Sequence, residues 1–386
     1  MSALALRRWP PGGEAFGPAA LWTALRARDP EALLVEALRA ALGGARPTLH
    51  ASGREAMRVA VERLAKERGR DEILVPAYTC FSVPSSVVAA GLRVRLVDVT
   101  LEGRIDAACL EALPLGRAAA LVVCNLFGVP EPIAALRERL AKAGVAVIDD
   151  AAQALGARTP EGPVGSRGDL GILSFGRGKP LCALGGGAIV WRGPQGPEPR
   201  GAQPHRGVAL ARALAYDLAL QPAVFRWLAS IPALGIGETH FDPGFPRGPI
   251  DGASLCLAAA AVRALERQGR ERADRAQALA EEIAARSAFV PLRPDPGSSA
   301  VYPRLAVVAP RAEARDAALA TLRDLGATGM YPSSLDRVEA LRPHVAGDPA
   351  CKAARELAAR LLTLPTHREL RGAARERVLE TLGGVS

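Results

Sequence analysis

Two carboxylates close an apolar run in "VIDDAAQALGA": Asp149 and Asp150, with Gln153 three residues further on. A second run, "LGILSFGRGKPLCALGGGAIV" (residues 170–190), carries Ser174 and Lys179, then Gly185, Gly186 and Gly187. Lysine is scarce in this chain. Only Lys66, Lys142, Lys179 and Lys352 are lysines among 49 basic side chains, and the other 45 are arginines. An ammonium can lose its proton and attack a carbonyl, whereas a guanidinium effectively cannot. Lys179, in a glycine-rich turn, is therefore the candidate for amine chemistry, and the other three read as surface cations. A third stretch, "VPAYTCF", adds Tyr78, Thr79, Cys80 and Phe81. The turn Ser52-Gly53-Arg54 opens an apolar-periodic helix, where free backbone N–H groups form a natural phosphate seat. Asp149-Asp150 also suits a helix N-cap, and the three glycines suit a tight turn.

The elements that must position these groups follow from periodicity. "EILVPA", "RVRLVDV", "AAALVVCNLFG", "VAVIDDAAQ", "GILSFG" and "GGGAIVW" read as strands, with "SSVVAAGL" and "EPIAALRERLAKAG" as helices between them. This alternation predicts an α/β fold with a mostly parallel central sheet flanked by helices. In such sheets ligands bind where the strands end. From about residue 250 the texture becomes that of a smaller α/β unit: a long or bent helix over "DGASLCLAAAAVRALERQGRERADRAQALAEEIAAR", a strand at "AVYPRLAVVAP", and helices at "EARDAALATLRDLG", "ACKAARELAARLLTLPTH" and "RGAARERVLETLGG". The expected division is an N-terminal segment 1–45, a large domain 46–250 and a small C-terminal domain 251–386.

Composition narrows the function. Hydrophobic residues make up 49% of the 386, which suits an ordinary globular core. The net charge of +9 is spread along the chain and interleaved with acids, so no basic block points to nucleic acid. The six cysteines show no CxxC pairing, hence neither a metal motif nor a disulfide framework. No signal peptide is read at the N-terminus and no uninterrupted apolar run is long enough to span a membrane, which predicts a cytoplasmic protein. The nearest candidate, "ALAYDLALQPAVFRWLASIPALGIG", is broken by Asp217, Pro222, Arg226 and Pro232. It reads as a buried or dimer-facing helix, with an interfacial segment as the alternative.

A strand-end carboxylate, a lysine in a glycine-rich turn and a phosphate seat together suggest pyridoxal 5′-phosphate. Its aldehyde needs an amine, its ring nitrogen an anion and its phosphate neutral donors. At this point the chain resembles the DegT/DnrJ/EryC1/StrS family, sugar aminotransferases of the fold-type I pyridoxal phosphate group. The matching stretches are "SGREAM", "ILVPAYTCFSV", "AAGLRVRLVDV", "NLFGVP", "VIDDAAQALGA", "VGSRGDLGILSFGRGK", "GGGAIV" and, near the C-terminus, "LAARLLTLPTH". The resemblance implies a homodimer that transfers an amino group, from L-glutamate, to a nucleotide-linked keto-sugar. It implies that Lys179 bonds the cofactor and moves the proton, and that Asp150 holds the ring nitrogen. Gln153 would lie against the ring, while Ser174, Gly53 and Arg54 would bind the phosphate. At the ring-stacking aromatic position stands Cys80, with Phe81 the nearest aromatic. Asn125 replaces the histidine of "HLFG", and "FPR" (Phe245, Pro246, Arg247) replaces "NYR". The family's dehydratase branch has histidine in place of the lysine, so Lys179 speaks against it. A non-catalytic or regulatory member that kept the fold is the other alternative.

Overall fold

Helix α3 (Gly53–Arg68) shows how locally this fold is specified. Ser52 holds extended backbone and its hydroxyl accepts from the Glu55 N–H at 3.1 Å, which caps the first turn. Gly69, in the left-handed conformation with φ 61°, ends the helix. Between them Ala56, Met57, Ala60, Val61 and Leu64 recur at three- and four-residue spacing and are buried. That stripe packs on the strands the sequence predicts. The computed structural model describes residues 8–193, 202–231 and 240–385.

Seven strands form one sheet in the order β1-β9-β8-β5-β4-β2-β3. They are β1 (Arg46–His50), β2 (Glu72–Pro76), β3 (Arg93–Val97), β4 (Ala118–Cys124), β5 (Ala146–Asp150), β8 (Leu170–Ser174) and β9 (Gly187–Trp191). β6 (Arg158–Thr159) and β7 (Gly162–Pro163) make a small separate hairpin. Strands β3, β2, β4, β5 and β8 run parallel, while β9 is antiparallel to both β8 and β1. β4 (AAALVVC) is buried along its whole length, as a central strand covered on both faces must be. The helices between the strands are α4 (Ser82–Ala89), α5 (Ala107–Ala112) and α6 (Ala134–Lys142). Ahead of β1 lie α1 (Gly17–Arg26) and α2 (Pro30–Ala41). After β9 come α7 (Arg206–Ala219), α8 (Pro222–Leu228) and α9 (Gly252–Ala261). The α/β fold with a mostly parallel central sheet is therefore present as expected.

The long helix expected after residue 250 is bent. α9 passes through a 3₁₀ turn at 262–264 into α10 (Leu265–Arg286), whose Ala276, Leu279, Ala280 and Ile283 are buried against a second sheet. That sheet is antiparallel, β10 (Val290–Pro291), β11 (Leu305–Val308) and β12 (Leu361–Leu364), and is flanked by α11 (Ala312–Leu322), α12 (Lys352–Arg360) and α13 (Ala373–Gly384). Here one reading is corrected. "LLTL" continues no helix: Leu361–Leu364 is strand β12, paired with Leu305–Val308. A buried apolar run of four carries no period, so the neighbouring strand decides its conformation.

Of the two expectations for "ALAYDLALQPAVFRWLAS", buried or dimer-facing, the first is corrected. It is not buried as a unit. α7 and α8 turn Ala209, Ala213 and Phe225 inward but leave Leu214, Leu218 and Trp227 exposed. Residues 194–201 and 232–239, within the 192–250 stretch whose role the sequence left open, lie outside the described residues, as does the N-terminal heptapeptide.

One close approach fixes the loop after β5 against β8. A Cβ added at Gly171 would lie 1.8 Å from the Gly165 carbonyl oxygen. Gly171→Ala is expected to destabilise the fold by about 3 kcal/mol, because backbone would have to move. Gly207→Ala, where a Cβ meets nothing within 4 Å, should be neutral or stabilising by up to about 1 kcal/mol. Urea unfolding midpoints of the two variants check the pair.

Candidate active site

Consecutive strand residues face opposite ways, and the end of β5 uses this to separate two carboxylates. Asp149 is wholly buried and fully engaged. It accepts from the backbone N–H of Gly165 (2.7 Å) and Arg167 (3.1 Å), from Arg167 Nε (3.0 Å) and Nη2 (2.8 Å), and from Asn125 Nδ2 (2.9 Å). Arg167, itself buried, also donates to the Glu131 carbonyl and to Asn125 Oδ1. Asn125 Nδ2 reaches the Asp150 carbonyl as well, at 2.9 Å. This closed network leaves Asp149 no free lone pair for a ligand. The glycine contact at Gly165 and Gly171 brings the donor loop close enough to build it. Nearby Glu131 accepts from the Ile105 N–H at 2.7 Å, and burial pushes its carboxyl up to about 7.

Asp150 is the opposite case. One of its oxygens accepts from the Ala152 N–H at 2.9 Å. Burial pushes its carboxyl up to about 6, and the charge of Asp149 adds to the rise. The Ala152 N–H, the Lys179 ammonium and the Cys124 thiol pull the other way. It is a buried carboxylate within electrostatic reach of Lys179. Registered next to it are Cys124 at the end of β4 and Ile172 of β8, so the ends of three parallel strands converge here.

The loop from β8 to β9 carries Lys179. Its pocket is walled by the N-terminal segment (Gly13, Glu14), by Gln268 and Arg272 of α10, and by His367. The segment is pinned along its length. Trp9 N–H donates to the Asp324 carbonyl, Arg304 to the Pro11 carbonyl, Glu14 pairs with buried Arg272 at 3.0 Å, and the Asp217 carboxylate accepts from the Phe16 N–H at 2.9 Å.

Ser174 ends β8 against the start of α3. A Cβ on Gly53 would fall 2.7 Å from Ser174 Cβ and 3.0 Å from its hydroxyl, so glycine alone lets the hydroxyl abut the helix N-terminus. The first N–H groups of a helix have no partners within it, and hydroxyl and amides together could hold a phosphate. The side chain of Arg54 is turned elsewhere: its guanidinium lies over the Phe245 ring at 5.0 Å. The "FPR" segment thus packs against the same helix start, with the Gly248 carbonyl accepting from Ala51 N–H at 2.8 Å. Arg247 is exposed and donates to the Ala89 carbonyl at 3.5 Å.

Gln153 is buried, with Oε1 accepting from Phe127 N–H (3.0 Å) and Nε2 donating to the Tyr331 hydroxyl (2.7 Å). Tyr331 stacks edge-on to Tyr78 at 5.6 Å and tilts against Phe127 at 6.4 Å. Phe127 and Met330 both hold left-handed backbone, with φ 59° and 58°, strain that concentrates where side chains must be aimed. Phe81 is buried in the core and Cys80 only half-buried, its sulfur accepting from the Ser82 hydroxyl at 3.0 Å. Of the two, the Cys80 sulfur is the more accessible. The residues that sequence reasoning missed are Tyr331, Arg167 and Glu131. Among the described residues no cluster of three or more His, Cys, Asp or Glu could hold a metal ion.

A profile described as the DegT/DnrJ/EryC1/StrS aminotransferase family matches residues 31–198 and 252–383, well over half of the chain. Among curated proteins, similarity extends to a UDP-N-acetyl-3-dehydro-alpha-D-glucosamine 3-aminotransferase of Acidithiobacillus ferrooxidans. The two are 35% identical over 161 residues, covering 40% of this chain and 43% of that protein. A dTDP-3-amino-3,4,6-trideoxy-alpha-D-glucose transaminase of Streptomyces venezuelae is 33% identical over 150 residues, covering 37% and 38%. The chain thus spans about two fifths of the length of the curated relatives it matches. Solved structures share the fold nearly end to end. Aminotransferase TlmJ from Streptoalloteichus hindustanus superposes with TM-score 0.75 at 20% identity, covering 98% of both chains. The PLP form of Spr1654 from Streptococcus pneumoniae gives 0.75 at 17%, again covering 98% of both.

Two substitutions separate the paired carboxylates. Asp149→Asn strips a buried pair of its anion and should cost about 3–5 kcal/mol of stability. Asp150 behaves in the reverse sense. Its folded pKa of about 6 lies above its ordinary value of 3.8, so the native state holds that proton more tightly. The stabilisation is complete below pH about 4, declines as pH rises to about 6, and is gone above, a loss of about 3 kcal/mol. Asp150→Asn removes this slope. Denaturant unfolding of wild type and variant across that pH range should diverge by this amount; parallel curves would refute the assignment.

Proposed function

Since the chain belongs to the DegT/DnrJ/EryC1/StrS aminotransferase family, we propose that it is a pyridoxal 5′-phosphate-dependent aminotransferase. On this reading it moves an amino group, from L-glutamate, to a keto-sugar carried on a nucleotide, in polysaccharide or secondary-metabolite biosynthesis. The observation that carries the reading is the buried carboxyl of Asp150 at the end of β5, engaged by one backbone N–H and within electrostatic reach of Lys179. The packing of the Ser174 hydroxyl directly against the Gly53 start of α3, where helix N–H groups are free, supports it. The names of the two relatives above, both acting on nucleotide-linked sugars, support the acceptor class. The same reading takes residues 46–250 as the cofactor-binding domain and 251–386 as the smaller one. It also makes the protein a cytoplasmic homodimer.

When bound, the cofactor supplies an aldehyde and an electron-accepting ring. The chain supplies the rest. Asp150 holds a protonated ring nitrogen, and its raised affinity for protons is relieved once a cation lies against it. Lys179 Nζ would hold the cofactor through its aldehyde carbon and, when free, would take up and give back the proton that the substrate carbon loses. The Ser174 hydroxyl and the N–H groups at Gly53 and Arg54 hold the phosphate. Gln153, braced by the Tyr331 hydroxyl, lies against the ring from the side. Cys80 stands where relatives stack an aromatic, a softer contact than a second ring. The N-terminal segment screens the pocket of Lys179 from water.

Purified protein incubated with pyridoxal 5′-phosphate should absorb in the near-violet, and borohydride followed by peptide mapping should leave the cofactor mass on Lys179. Lys179→Ala should lower turnover by roughly a thousandfold or more with an unchanged unfolding midpoint. Glutamate should bleach the band and a nucleotide keto-sugar restore it. A colourless protein would end the proposal.

A further inference from the structure

α7 turns the wrong side to water for a surface helix. Small residues, Ala209 and Ala213, face the protein, while Val208, Ala211, Leu214, Ala215 and Leu218 face away at three- and four-residue spacing. Leu214 is 52% and Leu218 59% exposed. α1 lies beside α7 and does the same with Pro18, Ala19, Trp22 and Leu25, Trp22 being 60% exposed. The two helices are locked together by the edge contact of Phe16 with Tyr216 and by Asp217, which caps the Phe16 N–H. α8 leaves α7 at a 92° bend and ends in Trp227, 65% exposed. Apolar faces of this kind are uncommon on a protein surface unless something covers them.

The charges identify the cover. Exposed arginines border the stripe: Arg26, stacked over Trp22 at 4.3 Å, then Arg28, Arg212 and Arg226. The acids near them are already engaged. Asp217 caps α1, Asp29 caps α2, and Asp251 caps α9 while pairing with Arg212 at 2.8 Å. Tryptophan and leucine beside arginine is the composition of a helix lying in a lipid interface, with guanidinium groups at the phosphates. No single helix among the described residues is long and apolar enough to cross a membrane, although α7 and α8 together, bent by 92°, reach the length and apolarity of a broken span. The family match starts at residue 31 and breaks between 198 and 252. All three helices fall outside those matched residues.

We propose that α1, α7 and α8 form a docking face by which the protein lies on an anionic phospholipid surface. Leu214, Leu218, Trp22 and Trp227 enter the acyl boundary and the bordering arginines contact lipid phosphates. The full-length chain should co-sediment with vesicles of equimolar phosphatidylglycerol and phosphatidylcholine, with its tryptophan emission shifted to the blue. Binding should weaken by roughly tenfold or more on phosphatidylcholine alone or at high salt. Trp22→Ala/Trp227→Ala and Leu214→Glu/Leu218→Glu should each abolish it while the unfolding midpoint is kept. Failure of the wild type to bind either vesicle overturns the proposal, as does binding that survives both double variants. A dimer in light scattering that falls apart in Leu214→Glu/Leu218→Glu also overturns it and gives the face to a second copy.

Discussion

Two carboxylates on adjacent residues at the dry end of one strand set the terms for everything around them. In a low-dielectric interior neither can be charged without a counter-group, and each raises the cost of charging the other. The chain resolves Asp149 internally, with Arg167, Asn125 and two backbone amides drawn in from two separate segments. It leaves Asp150 unresolved. That asymmetry leaves the second carboxylate buried and open to stabilisation by a cation brought to it.

The sheet makes the asymmetry possible. Parallel β4, β5 and β8 bring Cys124, Asp150 and Ser174 to one edge, and antiparallel β9 returns the Lys179 loop to the same place. Glycines carry the close approaches: Gly171 under Gly165, Gly53 against Ser174, and Gly187 against the start of α3. Two residues around Gln153, Phe127 and Met330, adopt left-handed backbone without being glycine. Such positions persist only where surrounding packing over-determines them, and the stacked rings of Tyr78, Tyr331 and Phe127 supply that packing.

Much of this was legible in the sequence because it is local. Strand and helix periods gave the α/β alternation, and the scarcity of lysine singled out Lys179. What escaped depends on segments far apart in the chain. Arg167 looks like one arginine among many until Asp149 and Asn125 fold around it, and Tyr331 sits in a loop with no motif until Gln153 meets it. β12 read as helix because "LLTL" is apolar without alternation and only β11 tells it what to be. The apolar stretch of α7 and α8 reads as buried or dimer-facing, since hydropathy reports a preference for leaving water without naming the neighbour.

The wall over Lys179 is drawn in irregular chain, from Gly12 to Phe16, and is fastened by side chains of Asp217 on α7, Arg272 on α10 and Arg304 beside β11 rather than by the central sheet itself. A partition of that kind is independent of the scaffold behind it. Drift in these few residues can resize or recharge the vestibule while every strand-end group stays where it is. Selectivity and chemistry are thereby free to evolve on separate schedules within one chain.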